Sequence, residues 1–343
     1  MMRALRTALL ALFAATGPAV AEITDIRILS FKDLNGWEED DHAAALETFL
    51  STCPDMPGRD WTTICAMALN PTNPKLFFEL FFRPVQVMDG NAPLFTGYFE
   101  PELDGSLTRT ERFRIPVYAP PQDLPRPWPT RRMIETTDIL KNRGLEIAWV
   151  DDLTALFFAQ IQGSFRINLT NGSTMRLGFA AANGYNYKSV GQALVDRGIY
   201  QPHQVSAETI GNWVRRNPKD GPELLRENPS YVFFEEITRI EGTDGPVGAM
   251  NWPLTPLRSI AVDTDYVPLG APVWVEKNGT SRLRRLMIAQ DVGSAIKGAQ
   301  RADIFMGTGD TAGRVAGQLK DGGRMILLAP IQRAYAMAEE LAQ

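Results

Sequence analysis

Arg258 to Met306 reads RSIAVDTDYVPLGAPVWVEKNGTSRLRRLMIAQDVGSAIKGAQRADIFM, and its texture decides the fold class. Short β-branched runs alternate with Gly and Pro turns: Ser259 to Val262, Pro272 to Glu276, Leu286 to Gln290 and Ile304 to Met306, with Met325 to Leu328 beyond. That pattern, which sets in after Gly242, predicts a compact β unit, a small barrel, closed by a helix from Gln332 to Leu341. Three aspartates stand where strand-like runs meet turns: Asp263 in SIAVDTDY, Asp291 in IAQDVGSAIKG and Asp303 in RADIFMG. Strand-end carboxylates of one β unit can project into a shared cleft, although Asp also caps turns with no catalytic purpose.

Upstream, helical spacing covers His42 to Leu50, and the apolar run Leu76 to Val87 predicts a helix ending near Pro84. Phe95 to Pro101 is a short aromatic segment. Six prolines between Pro116 and Pro129 predict a long, stiff loop without regular structure. A helix is expected from Arg131 to Asn142. Leu156 to Ile167 reads as a strand broken at Gly163, and Met175 to Ala181 as another before the turn Asn183-Gly184. Ser189 to Asp196 and Ser206 to Arg215 read as helices, the second capped by Ser206, and Tyr231 to Ile237 as a strand.

The chain has 343 residues, room for roughly two domains. Hydrophobic residues are 44% and charged residues 22%, which excludes disorder and a polytopic membrane protein. The formal charge is −5 with no basic block, so no nucleic-acid partner is expected. His42 and His203 are the only histidines and have no ligand-spaced neighbour, so HExxH and multi-His metal centres are excluded and carboxylate chemistry is favoured.

Arg3 and Arg6 precede the apolar run Ala8 to Ala15, which Gly17-Pro18 breaks before Ala19-Val20-Ala21. This is the pattern of a secretory signal peptide, residues 1–21, with cleavage predicted after Ala21. No other stretch is long enough to cross a membrane. Cys53 and Cys65, an isolated pair in an exported chain, read as a disulfide worth roughly 3 kcal/mol by chain-entropy reasoning; two buried thiols are the alternative.

Two motifs carry little. Asp291-Val292-Gly293-Ser294 is close to the DTGS of aspartic proteases, but that mechanism needs two such aspartates and only one copy exists. Gly307-Thr308-Gly309-Asp310-Thr311-Ala312 fits GxGxxA without a βαβ unit around it, so its glycines read as turn residues. Gln160 and Gln162 would share one strand face, with Gly163 admitting either a ligand or a plain β-bulge.

A series of motifs occurs in order: TGYFEP at Thr96–Pro101, QGS at Gln162–Ser164, NPSYVFF at Asn228–Phe234, RSIAVD at Arg258–Asp263, DVGSAIKG at Asp291–Gly298 and RAD at Arg301–Asp303. From about Pro93 to Pro330 the chain resembles the lytic murein transglycosylases of the MltA type. The resemblance implies a mainly β, α+β fold: a double-psi β-barrel domain (residues 22–105 plus 243–343) interrupted by an inserted β-rich domain (106–242), with a groove between them. The three aspartates match the family's three-aspartate module, and its acid corresponds to Asp303.

The same resemblance implies cleavage of the β-1,4 bond between N-acetylmuramic acid and N-acetylglucosamine in peptidoglycan strands. The muramyl C6 hydroxyl attacks its own C1 and leaves a 1,6-anhydro ring. One carboxyl can suffice, because the nucleophile is tethered within the substrate. Asp303 would act as acid and then base, with Asp291 and Asp263 either raising its pKa or stabilising oxocarbenium-like charge. Thr96, Tyr98, Glu100, Gln162, Gly163, Ser164 and Lys297 are the candidates for holding sugar. No metal or organic cofactor is needed, and a monomer is favoured. The alternative is a binding protein that holds glycan on the same fold without cutting it. Two departures stand out. Phe165 replaces the second Gly of the family's QGSG, where its ring either alters the groove floor or turns into the core. No lipobox Cys follows the apolar run, which predicts a soluble periplasmic form.

Overall fold

The structure, a computed structural model, describes residues 23–238, 244–279 and 281–341. The predicted signal peptide and the texture change after Gly242 fall outside the described residues or on their border. In chain order the elements are β1 (Asp25–Ile28), α1 (His42–Thr52), α2 (Arg59–Ala68), α3 (Pro74–Phe81), β2 (Phe82–Met88), β3 (Leu94–Glu100), β4 (Glu102–Ser106), β5 (Ile115–Tyr118), α4 (Arg131–Thr136) and β6 (Glu146–Val150). Then come α5 (Leu153–Gln162), β7 (Ser164–Leu169), β8 (Thr174–Ala182), α6 (Val190–Asp196), α7 (Ala207–Arg216), α8 (Asp220–Leu225) and β9 (Val232–Glu236). The C-terminal part holds β10 (Ser259–Val262), β11 (Pro272–Lys277), β12 (Leu283–Val292), β13 (Arg301–Thr308), α9 (Gly309–Gln318), β14 (Lys320–Asp321), β15 (Gly323–Pro330) and α10 (Ile331–Leu341).

Two sheets form. A nine-stranded sheet runs β1-β2-β15-β11-β12-β10-β13-β3-β14, and a six-stranded sheet runs β5-β6-β4-β7-β8-β9. The class is mixed α+β with most of the framework in sheets. The pairing of the larger sheet ends at β1 and β14 and does not close into the expected barrel. The chain leaves the nine-stranded sheet at Glu100 and enters the six-stranded one at Glu102, so only Pro101 separates them.

Both faces of the larger sheet are buried, which explains why β11 reads as a continuous buried run instead of alternating. One face carries Val85, Val87, Ile260, Val262, Val273, Met287 and Ile304. The other packs Trp274, Leu286, Ile288 and Leu328 against Trp37, Phe49, Phe77 and Phe78 from the helical N-terminal region. Cys53 and Cys65 are joined there, with Cα atoms 5.5 Å apart. Fully burying side chains of this size is worth about 1.5–3 kcal/mol each, so these two layers dominate the fold's stability.

Several expectations are corrected. Of the run from Leu156, the part before Gly163 is a helix, not a strand, and the expected strand begins only at Ser164. Asp152 Oδ1 caps the helix by accepting from Thr154 N at 2.7 Å and Ala155 N at 3.1 Å, and Gly163, at φ +81°, stops it in the left-handed region. A short apolar run cannot separate helix from strand by periodicity alone, and the caps decide. The helix predicted from Leu76 to near Pro84 ends three residues earlier, at Phe81, and Val85 and Val87 then alternate inward as β2. The helix predicted to Asn142 stops at Thr136. Pro116 lies in β5 after all; β5 is an edge strand, where a missing N–H is tolerated. The GxGxxA segment carries the chain from β13 into α9, which packs on β3. Contact there is close: a Cβ on Gly97 would lie 2.9 Å from Ala316 Cα, so that position of TGYFEP needs Gly.

Candidate active site

Four adjacent strands, β12, β10, β13 and β3, set one row of residues. Ala261 pairs with Asp291 on one side and with Asp303 on the other, and Asp303 pairs in turn with Thr96. Paired residues share a face, so Asp291, Ala261, Asp303 and Thr96 point the same way. Two strand spacings put the two aspartates' backbones roughly 10 Å apart, with only a methyl group between them. The row exists because the β10–β12 register slips between Ile260 and Ala261, from Ala289 to Asp291. Gln290 is the extra residue. It is wholly buried and bonds to Ser259 and, at 3.1 Å, to Ser51 Oγ. Without this bulge Asp291 would face the opposite side.

Asp291 is surrounded by donors. Its Oδ1 accepts from Ala249 N at 3.1 Å and Val292 N at 3.0 Å, and its Oδ2 accepts from the Tyr98 hydroxyl at 2.9 Å. Burial nevertheless pushes its pKa up to about 6, and the charge of Asp303 adds to the rise. Tyr98 sits two residues after Thr96 on the same face, packs on Phe305 at 5.4 Å, and is itself buried. Burial first, and then Asp291, hold the phenol in its protonated form.

Asp303 is treated differently. Its Oδ1 accepts from Thr96 Oγ1 at 2.6 Å, and among the described residues no other donor reaches the carboxyl. Burial raises its pKa above the ordinary carboxyl range, against the Thr96 hydroxyl and the Arg301 guanidinium. Arg301, two residues earlier on the same face, donates to Thr96 Oγ1 at 2.8 Å. Sequence reading passed over Arg301, although the period of two from Asp303 would have found it.

Asp263 does not join the pair. It is 3% exposed, and its carboxylate accepts from Lys297 Nζ at 2.9 Å and Gly298 N at 2.9 Å. Burial works to raise its pKa, but these partners outweigh it and hold Asp263 ionised below the usual range. It clamps the turn that precedes β13. Lys297 is largely exposed and is committed to that ion pair.

Glu100 is corrected as a sugar contact. It is 0% exposed, its Oε2 accepts from Arg166 Nε at 2.6 Å and Thr308 Oγ1 at 2.8 Å, and Arg176 lies 3.8 Å from its Oε1. It ties the two sheets together. The two glutamines do not share a face, because they lie on α5. Gln160 is buried and accepts from Arg131 Nη2 at 2.5 Å. Gln162 reaches the other sheet, where its Oε1 accepts from Phe99 N at 3.1 Å. Gly163 and Ser164 follow, both partly exposed at the junction of α5 and β7. Phe165 is wholly buried against Phe234, so its ring turns into the core. No cluster of His, Cys, Asp and Glu suited to a metal occurs among the described residues.

Two family models match this chain. The MltA specific insert domain matches residues 94–235, and the 3D domain matches residues 258–329. A membrane-bound lytic murein transglycosylase A of Vibrio cholerae is 33% identical over 265 residues, which are 73% of this chain and 70% of that protein. The crystal structure of MltA from Neisseria gonorrhoeae superposes with a TM-score of 0.79 at 33% identity, covering 91% of this chain and 95% of that one. A membrane-bound lytic murein transglycosylase from Agrobacterium tumefaciens gives 0.81 at 30% identity, covering 91% and 99%.

Proposed function

The chain belongs to the MltA family of lytic murein transglycosylases, and from that premise we propose that Asp303 is the acid and base of its reaction on peptidoglycan. The enzyme is a lytic transglycosylase. The observation that carries the assignment is the unequal solvation of the two carboxyls that share the row. Asp291 accepts three hydrogen bonds, whereas Asp303 accepts one and keeps Oδ2 uncommitted. A carboxyl saturated with donors serves best as a fixed negative charge, and a buried one with a free oxygen serves best as a proton carrier.

Asp303 protonates the oxygen of the β-1,4 bond between N-acetylmuramic acid and N-acetylglucosamine. Asp291, ionised, faces the oxocarbenium-like charge that develops at C1. Asp303, now a carboxylate, takes the proton of the muramyl C6 hydroxyl as that oxygen closes on C1. The product is a 1,6-anhydro end, and no water is consumed. Tethering the nucleophile within the substrate replaces the second carboxylate that a hydrolase needs to activate water.

The nine-stranded unit, although its pairing ends at β1 and β14, is read as the counterpart of the family's double-psi barrel, a reading supported by its parallel pairs β10–β12 and β13–β3. The six-stranded unit, from Glu102 to Glu236, is read as the insert that holds the glycan strand, with Gln162, Gly163 and Ser164 at the joint between the two. The export pattern of residues 1–21 supports a periplasmic location for the enzyme. No helix among the described residues is long and apolar enough to cross a membrane. Digestion of purified peptidoglycan followed by mass spectrometry tests the reaction. Anhydro-muropeptides, one water lighter than hydrolytic products, are expected, and products with reducing ends would refute it.

A further inference from the structure

Three groups of the nine-stranded sheet form a chain with a fixed direction. Arg301 Nη1 donates to Ala302 O at 2.6 Å and approaches Leu94 O at 3.4 Å, which pins the guanidinium. Its Nη2 donates to Thr96 Oγ1 at 2.8 Å. Guanidinium has no lone pair to offer, so Thr96 must use its single hydrogen elsewhere. The acceptor present is Asp303 Oδ1, at 2.6 Å. Oδ1 is therefore occupied as an acceptor, which favours Oδ2 as the seat of the acid proton.

We propose that Arg301 and Thr96 are positioning residues that fix the transferable proton of Asp303 on Oδ2, the oxygen left free for the glycan. This rests on the reading of Asp303 as the acid. It assigns Thr96 to holding the acid and not the sugar, and it gives Arg301 a part in the reaction. The proton leaves Oδ2 for the glycosidic oxygen, and the same oxygen receives the proton of the C6 hydroxyl. Oδ1 stays bonded to Thr96 through both transfers, so the carboxyl need not rotate between them.

Among the described residues, the charges that face Asp303 can be named. Asp291 on β12 and the Tyr98 phenol on β3 share its face. Arg301 lies on its own strand, and Lys320 of β14 stands opposite Thr96, one strand further out. Ala261 of β10 contributes no charge. The packing of Ala316 on Gly97 puts α9 on the other face of β3, away from the row.

The test is the pH–rate profile of Thr96→Val, Thr96→Ser, Arg301→Gln and Asp303→Asn on peptidoglycan, with kcat and KM separated. A carboxyl 13C titration of Asp303 in the folded protein accompanies it. Thr96 and Arg301 both favour the carboxylate, so losing either should raise the pKa of Asp303 and move the alkaline limb up by about one pH unit. Thr96→Val should lower kcat about tenfold or more with KM little changed, and Thr96→Ser should restore the wild-type limb. An unmoved limb and 13C midpoint in Thr96→Val, with the loss confined to KM, would make Thr96 a sugar contact and overturn the proposal alone. Should Thr96→Val fail to fold, Thr96→Ser and Arg301→Gln decide by the same two readouts. Full activity in Asp303→Asn would instead overturn the reading of Asp303, and the proposal with it.

Discussion

Asp291 and Asp303 face the same side of one sheet, each in register with Ala261 from opposite flanks. The small residue between them is buried. A larger side chain at this position would crowd the two carboxyls. Ala261→Val should therefore leave the fold standing, since Ala261 already packs among Tyr98, Leu254, Ile296 and Phe305, at a cost of about 1–3 kcal/mol for overpacking. Its glycan turnover should drop far more than its melting point suggests. Thermal unfolding and muropeptide release, measured on the same sample, check this.

Substituting Asn for Asp303 keeps the shape and removes the transferable proton. Turnover should fall at least ~10²-fold, the usual scale for a general acid, while glycan still binds. Mass spectrometry of digested peptidoglycan and a sedimentation assay on intact cell walls read the two quantities. Undiminished anhydro product would move the acid to Asp291.

Asp291 ties activity to pH and opposes stability. Its folded pKa of about 6 lies above its ordinary value of 3.8, so the fold favours the protonated form. The stability it allows is full below pH 4 and declines as pH rises through 6, by roughly 3 kcal/mol at most. Asp291→Asn should be more stable than the wild type at pH 8 and equal to it at pH 4, in urea melts at both. The activity proposed for it runs the other way, since the proposed reaction uses the carboxylate. The wild-type acid limb should lie near pH 6, and Tyr98→Phe, which removes a donor to the carboxylate, should push it upward.

Glu100 separates a structural reading from a sugar-binding one. Breaking a buried ion pair by removing one partner typically costs 3–5 kcal/mol, so Glu100→Ala should lose about that much in denaturant unfolding. A variant whose stability is unchanged but whose KM rises would return Glu100 to the glycan.

Cys53 and Cys65 lie on the helical layer behind the larger sheet, on the side of Phe49 and Trp274. Replacing both with Ser should remove roughly 3 kcal/mol of stability. Turnover per folded molecule should stay the same. Equal melting points with and without reductant would argue against the bond.

Features legible along the chain are local ones. Turn residues and β-branched runs placed β10, β11, β12, β13 and β15 within a few residues. Helical spacing placed α6, and a capping side chain placed α7, because Ser206 accepts from the N–H group three residues on. The three aspartates at strand ends were visible for the same reason, since both turn chemistry and strand periodicity are written in neighbouring residues. Tertiary structure decided the rest. α5 could not be told from a strand, because the apolar face of a short buried run has no period of its own. Glu100 reads like an exposed acid beside a proline until Arg166 and Thr308, 66 and 208 residues away in sequence, close over it. The register slip at Gln290 turns Asp291 toward Asp303 and leaves Asp263 to clamp a turn. That slip depends on Ser259 and Ser51 binding the extra glutamine from two distant segments. Which carboxyls meet is therefore set by long-range pairing, which no window of the sequence contains.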